Sequence, residues 1–194
     1  MKLARNGLLK IGASILVGAL LVSQSYAVPL SGLSSPKYDV YFKEYSEKFI
    51  PEYDWHWIKA QAYQESLLQP EVRSHAGAQG IMQIMPGTWL DETDRLGIIA
   101  SPFNPKINIL VGVNYMRKMI AFWKAPRTKG ERLELAQASY NAGAGNILKA
   151  QGRCGGATWN HIRKCLKSFT GTDNSHETID YVQKIKRWYA KLVK

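Results

Sequence analysis

Gln61-Ala62-Tyr63-Gln64-Glu65-Ser66-Leu67-Leu68-Gln69-Pro70 is the stretch on which the reading of this chain turns. Ile58, Ala62 and Glu65 stand at i, i+4 and i+7, and Gln61 and Leu68 share their stripe. A helix with that pattern turns its glutamate toward the interior. Burial disfavours the charged carboxylate and raises its pKa, which is the condition for an acid catalyst near neutral pH. A buried glutamate neutralised by an arginine or lysine fits the same stripe, because buried acids are rare unless paired. Asp54 is placed to cap this helix, the pattern runs it from Trp55 to about Leu68, and Pro70 stops it. Glu65 then lies in the last turn, at the mouth of whatever the helix packs against.

Upstream, Tyr38, Tyr41, Phe42, Tyr45 and Phe49 recur at helical spacing and read as core or groove wall. Residues 28–37 are rich in Ser, Pro and Gly and read as a flexible start. Downstream, residues 71–80 hold Gly77 and Gly80 and read as a turn-rich excursion that returns the chain over the Glu65 end. A helix is predicted from Thr88 to about Leu96. Asn104-Pro105 opens another, with Ile109, Val113, Met116, Ile120 and Trp123 along one face. A further helix spans about Arg132 to Asn141, with Gly143 and Gly145 breaking it. The last starts near Ser175, with Asn174 and Glu177 placed for a capping box and Ile179, Val182, Ile185, Tyr189 and Leu192 inward. No alternating strand pattern appears beyond a small hairpin near 74–85. The fold class is mainly α, a single domain over residues 38–194 with at most that β-hairpin near the site.

Four motifs follow the same order along the chain. They are Glu65-Ser66; Gly77-Ala78-Gln79-Gly80-Ile81-Met82-Gln83-Ile84-Met85-Pro86; Ser139-Tyr140-Asn141-Ala142-Gly143; and Glu177-Thr178-Ile179-Asp180-Tyr181-Val182. Together they resemble the soluble lytic transglycosylase family, relatives of goose-type lysozyme, from about residue 50 to the C-terminus. The resemblance implies a lysozyme-like α+β architecture and cleavage of the peptidoglycan glycan strand between N-acetylmuramic acid and N-acetylglucosamine. Most glycosidases use two carboxylates, and this chain offers one with no obvious partner near it in sequence. In the family, one glutamate gives its proton to the leaving oxygen, then takes one from the muramic C6 hydroxyl, closing a 1,6-anhydro ring.

On that resemblance Glu65 is the acid and then the base. Ser74 is the serine that meets substrate near the acid, and Gly80, Met82 and Gln83 line the sugar groove. Tyr140 carries the hydroxyl that reaches the catalytic carboxyl, and Asn141 supports its turn. Glu177 and Tyr181 face the groove in the final motif. From the residues alone each has a plainer reading. Ser74 serves as a turn former, Gln83 as a backbone cap, Met82 as packing, Tyr140 as a core tyrosine and Glu177 as a helix cap. Two rivals stand beside the transglycosylase. One is a goose-type lysozyme-like hydrolase of the same bond, and the other is a non-catalytic glycan-binding component of a wall-spanning machine.

The first 27 residues have their own pattern. Lys2, Arg5 and Lys10 precede an apolar run from Ile11 to Val22, and Ser25-Tyr26-Ala27 supplies small residues at −3 and −1. That is a secretory signal peptide with cleavage expected after Ala27. The run is short for a bilayer span, and Val28 stands where a lipoprotein needs cysteine, so no stable membrane anchor is expected. The expected location is periplasmic or secreted. An even pair of cysteines in an exported chain, Cys154 and Cys165, reads as a disulfide closing a short segment, against the alternative of two reduced thiols. Cysteines and histidines show no zinc spacing, so neither metal nor other cofactor is implied. Net charge is +11, and +8 without the three cations of the first 27 residues. Such a surface attracts polyanions. The aromatics sit at core spacing and are not interleaved with the basic residues, which argues against nucleic acid. Peptidoglycan is the expected partner of a monomer, with a secretion, conjugation or phage apparatus as a further possible partner.

Overall fold

The computed structural model describes residues 30–194, so the signal segment read at 1–27 lies outside the described residues. Short α1 (Leu30–Leu33) leads into α2 (Asp39–Phe49) and α3 (His56–Ser66). An irregular lobe over residues 67–85 follows. Next come α4 (Pro86–Leu96), α5 (Pro105–Phe122), α6 (Lys129–Ala142) and α7 (Ala144–Cys154), then the short α8 (Trp159–Ile162) and α9 (Lys167–Thr170), and long α10 (Thr172–Leu192). In place of a hairpin the lobe holds two isolated antiparallel bridges, Arg73 with Gln79 and Gln79 with Ile84. No helix of the described residues is long and apolar enough to cross a membrane.

The expected stripe of α5 is buried as read. Ile109, Val113, Met116 and Ile120 lie in one apolar cluster with Phe42, Tyr45, Ile58 and Tyr63. A second cluster joins Leu135, Ala138, Ile147, Trp159, Val182 and Ile185. α3 and α10 run antiparallel: Glu65 meets Tyr181, Gln64 meets Trp188, and Trp57 stacks on Tyr189 at 3.7 Å. α6 is also antiparallel to α10, with Asn141 bonded to Thr178 and Glu134 paired with Lys186. These two pairings bring the C-terminal ends of α3 and α6 to the N-terminal half of α10.

Three expectations are corrected. Within the segment read as a flexible start, residues 33–35 are tied to the domain, because Leu33 is buried in the first cluster and Ser35 O accepts from Lys59 Nζ at 3.0 Å. Lys59, itself buried on α3, pairs with Asp39 at 2.6 Å, which gives its charge a partner. Gly145 does not break a helix. It sits in the first turn of α7, an element the apolar pattern was too sparse to announce, since only Ile147 and Ala150 of α7 are fully buried. Its C-terminal Cys154 is joined to Cys165 by a disulfide. Finally, α10 starts at Thr172, so Asn174 and Glu177 form no capping box; Asn174 Nδ2 instead donates to Thr170 O at 2.7 Å.

Candidate active site

α3 ends one residue after Glu65. Leu67 takes the left-handed conformation (φ 56°), and its N–H bonds Tyr63 O. Asp54 does serve the N-terminus, accepting from His56 N–H at 3.0 Å. Glu65 is therefore held in the final turn, partly covered, with its Oε1 accepting from the Tyr181 hydroxyl at 2.5 Å. No lysine or arginine among the described residues pairs with it. Loss of solvent pushes the Glu65 carboxyl up to about 8; the Tyr181 bond pulls it down and the nearby charge of Glu177 pushes it further up. The neutralising-cation alternative is thus absent here. The carboxyl is held instead by a phenol, and it keeps its proton near neutral pH.

The two tyrosines exchange expected places. The Tyr140 hydroxyl donates to Met82 O at 2.9 Å and does not bond the carboxyl, whereas Tyr181, from the last motif, does. Both phenols sit beside Glu65: burial first, then the Glu65 charge, raises each well above its ordinary pKa. They therefore remain donors across the working range. Asn141 serves the neighbouring carboxylate. Its Oδ1 accepts from Thr178 at 2.7 Å, which leaves its amide to bond the Glu177 carboxyl. Glu177 is half-buried and raised by desolvation, with Asn141 and then Lys184 lowering it.

The lobe over 67–85 is pinned by side chains from three elements. Ser66 Oγ donates to Ile81 O at 2.8 Å. Asn108, fully buried on α5, accepts from Met82 N at 2.8 Å and donates to Gln79 O and Pro102 O at 3.1 and 2.8 Å. Gln83, in the left-handed region at φ 47°, donates through Nε2 to Val72 O and Gly80 O. Ser74 Oγ accepts from Ala78 N–H at 3.0 Å, closing the turn. Gly80 has φ 78°, and a Cβ there would lie 2.3 Å from Pro102 O. Gly112 of α5 makes room for Met82, whose Cγ would lie 2.7 Å from a Cβ at that position. Met82 is fully buried, so it shapes the lobe from within.

Glu65, Tyr140, Asn141, Glu177 and Tyr181 are thus brought together, with the Gly80–Gln83 turn tied to them through Tyr140. Ser74 lies on the lobe and is engaged with its own turn. Asn108 stands outside the sequence motifs, and Ser66 and Thr178 stand in them without an expected role. Asn108 had a signal: it lies one turn before Gly112 and two before Met116 on a buried face, and a buried amide requires partners.

A family model described as Transglycosylase SLT domain matches residues 41–162. A membrane-bound lytic murein transglycosylase F of Vibrio campbellii is 31% identical over 176 residues, covering 81% of this chain and 31% of that protein. The Pseudomonas fluorescens protein of the same name is 29% identical, covering 79% and 33%. Among solved structures, the 70 kDa soluble lytic transglycosylase of Escherichia coli superposes with a TM-score of 0.66 at 25% identity, covering 82% of this chain and 25% of that one. A complex of the 70 kDa soluble lytic transglycosylase with bulgecin A gives 0.65 at 28% identity, covering 80% and 24%. The chain spans about a third of the length of the curated relatives and about a quarter of the solved chains.

Proposed function

We propose a function from one premise: this chain belongs to the Transglycosylase SLT domain family. It is a peptidoglycan lytic transglycosylase, cutting the β-1,4 bond between N-acetylmuramic acid and N-acetylglucosamine and leaving 1,6-anhydromuramic ends. The reading is supported above all by Glu65, an acid with no cationic partner among the described residues, raised to about 8 and oriented by Tyr181. With Oε1 taken by the phenol, Oε2 is the seat of the proton that passes to the leaving oxygen. The carboxylate so formed then accepts the C6 hydroxyl proton, and Tyr181 steadies its charge at that moment. Tyr140 and Asn141 act as positioning residues, the first on the Met82 carbonyl and the second on Glu177. Ser74, half-buried on the lobe, stands toward the sugar-facing rim, while Gly80 and Gln83, buried where groove-lining was expected of them, shape that rim from within. The protein acts as a monomer in the envelope after loss of residues 1–27.

One observation favours hydrolysis of the same bond. Glu177 is a second carboxyl close enough to raise Glu65, and a second acid is what holding a water would require. Mass analysis of digested muropeptides separates the two outcomes, with Glu65→Gln as the control. Anhydro ends that vanish in the variant support the transglycosylase. Reducing ends carrying added water overturn it in favour of hydrolysis, and undiminished digestion by Glu65→Gln overturns the assignment of the acid.

A further inference from the structure

A cavity of about 340 Å³ opens at the far end of α6 between the end of α2 and the end of α5. Arg132 on α6 helps line it. Tyr140 lies eight residues further along the same helix, about 12 Å away at a rise of about 1.5 Å per residue. The cavity is therefore separate from the cluster around Glu65. Its walls carry Arg117, Lys124 and Arg132 against one carboxylate, Glu52, over an apolar floor that includes Ile120 and Trp123.

The charges here are not used by the fold. Among the described residues none of the three cations makes an ion pair, although other lysines and arginines of the chain do. Arg117 donates only to the Asn114 amide oxygen. The Arg132 Nε is buried and has no acceptor among the described residues. Buried donors without a partner are rare in folded proteins, and such a group calls for an explanation. Arginine in particular presents a planar fork that suits carboxylate and phosphate oxygens.

We infer that this cavity binds an acidic peptide that also carries a free amine. Three converging cations receive two carboxylates. Glu52 receives the ammonium, a contact that phosphate alone cannot supply. The Ile120 and Trp123 surface takes the aliphatic stem between the charged ends. The volume sits at the small end of ligand pockets and suits one or two amino-acid residues. The stem peptides of peptidoglycan have this chemistry, so the choice of ligand rests on the function proposed above. The cavity would then grip the wall at a point away from the bond being cut.

The test is binding, measured by isothermal titration and by the NMR signal of the Trp123 indole, on the Glu65→Gln protein so that nothing is consumed. The probes are a stem tripeptide with two carboxylates and a free amine, the same peptide with that amine acetylated, and inorganic phosphate. The tripeptide is expected to bind and shift the Trp123 signal, and acetylation to weaken it. Arg117→Gln with Lys124→Gln, both at exposed positions, is expected to weaken it by about tenfold. Glu52→Gln should weaken the free-amine peptide and leave the acetylated one unaffected. Equal binding by the double variant overturns the site. Phosphate binding as tightly as the tripeptide, and strengthened by Glu52→Gln, overturns the ligand class. Peptide shifts confined to residues around Glu65 overturn the location. Loss of the transglycosylase reading would leave these binding results untouched, and their failure would leave that reading untouched.

Discussion

Glu65→Gln should make the protein more stable, and by an amount that grows with pH. The folded carboxyl is raised from its ordinary 4.5 to about 8, mainly by desolvation. Below 4.5 both folded and unfolded chains hold the proton, and native and variant proteins differ little. Between 4.5 and about 8 the unfolded chain releases the proton while the folded chain keeps it. Stability of the native protein therefore falls as pH rises through that window and levels off above about 8. The slope has a ceiling of about 1.4 kcal/mol per pH unit, which gives about 3 kcal/mol at pH 7. Partial solvent contact of the side chain reduces this to about 2 kcal/mol. Glutamine is neutral throughout, and its carbonyl still accepts the Tyr181 hydroxyl, so it carries none of this penalty. For a domain of this size the gap corresponds to about 4–8 °C in Tm at pH 7. Thermal melts of both proteins at several pH values between about 4 and 8 measure it. Parallel melting curves would refute the burial argument. A native protein that gains on the variant as pH rises would mean the carboxylate is favoured in the fold, contrary to everything inferred about it.

Other outcomes follow from single contacts. Tyr181→Phe removes the bond that lowers the Glu65 pKa, so the alkaline limb of kcat/KM should move up by about one pH unit, and a limb that moves down would contradict the assignment. Tyr140→Phe leaves the buried Met82 carbonyl without its donor and should cost about 1–2 kcal/mol in urea unfolding, with turnover reduced as the Gly80–Gln83 turn loosens. Gly80→Ala combines a positive φ with a clash on Pro102 O and should cost about 2 kcal/mol or more, read from the urea midpoint. Reducing the Cys154–Cys165 bridge, which closes a short loop, should cost about 2–3 kcal/mol in thermal melts run with and without reductant.

Much of this architecture was legible because it follows from periodicity. The α5 stripe and the inward set of α10 repeat at helical spacing, and nothing in their packing opposes it. Glu65 was legible for the same reason, as a carboxylate standing on an apolar face. The identity of its partner was not. Tyr181 lies 116 residues away and Tyr140 offers the same phenol, so only the antiparallel pairing of α3 with α10 decides between them. α7 escaped notice because Gly145 and Gly152 dilute its pattern, and its bridge to Cys165 and its two buried residues hold it by long-range contact. Asn108, one turn beyond the Asn104 cap of α5, carried no motif that marked it. Its actual task, binding the backbone at Gln79, Met82 and Pro102 at once, depends on a lobe that shows no regular pattern.

The corner that follows the acid has a wider meaning. Leu67 and Leu68 both adopt left-handed backbone angles, φ 56° and 61°, a conformation that leucine resists on its own. What holds them there is distant: Leu68 is drawn into the core, and Ser66 is tied to Ile81. Local preference alone would let the α3 end fray or continue, carrying Glu65 out of register with Tyr181. A chain still assembling, or one whose lobe has come loose, should therefore have its proton donor misaligned. On the function proposed, competence to cut the glycan strand is in this way tied to completion of the whole domain.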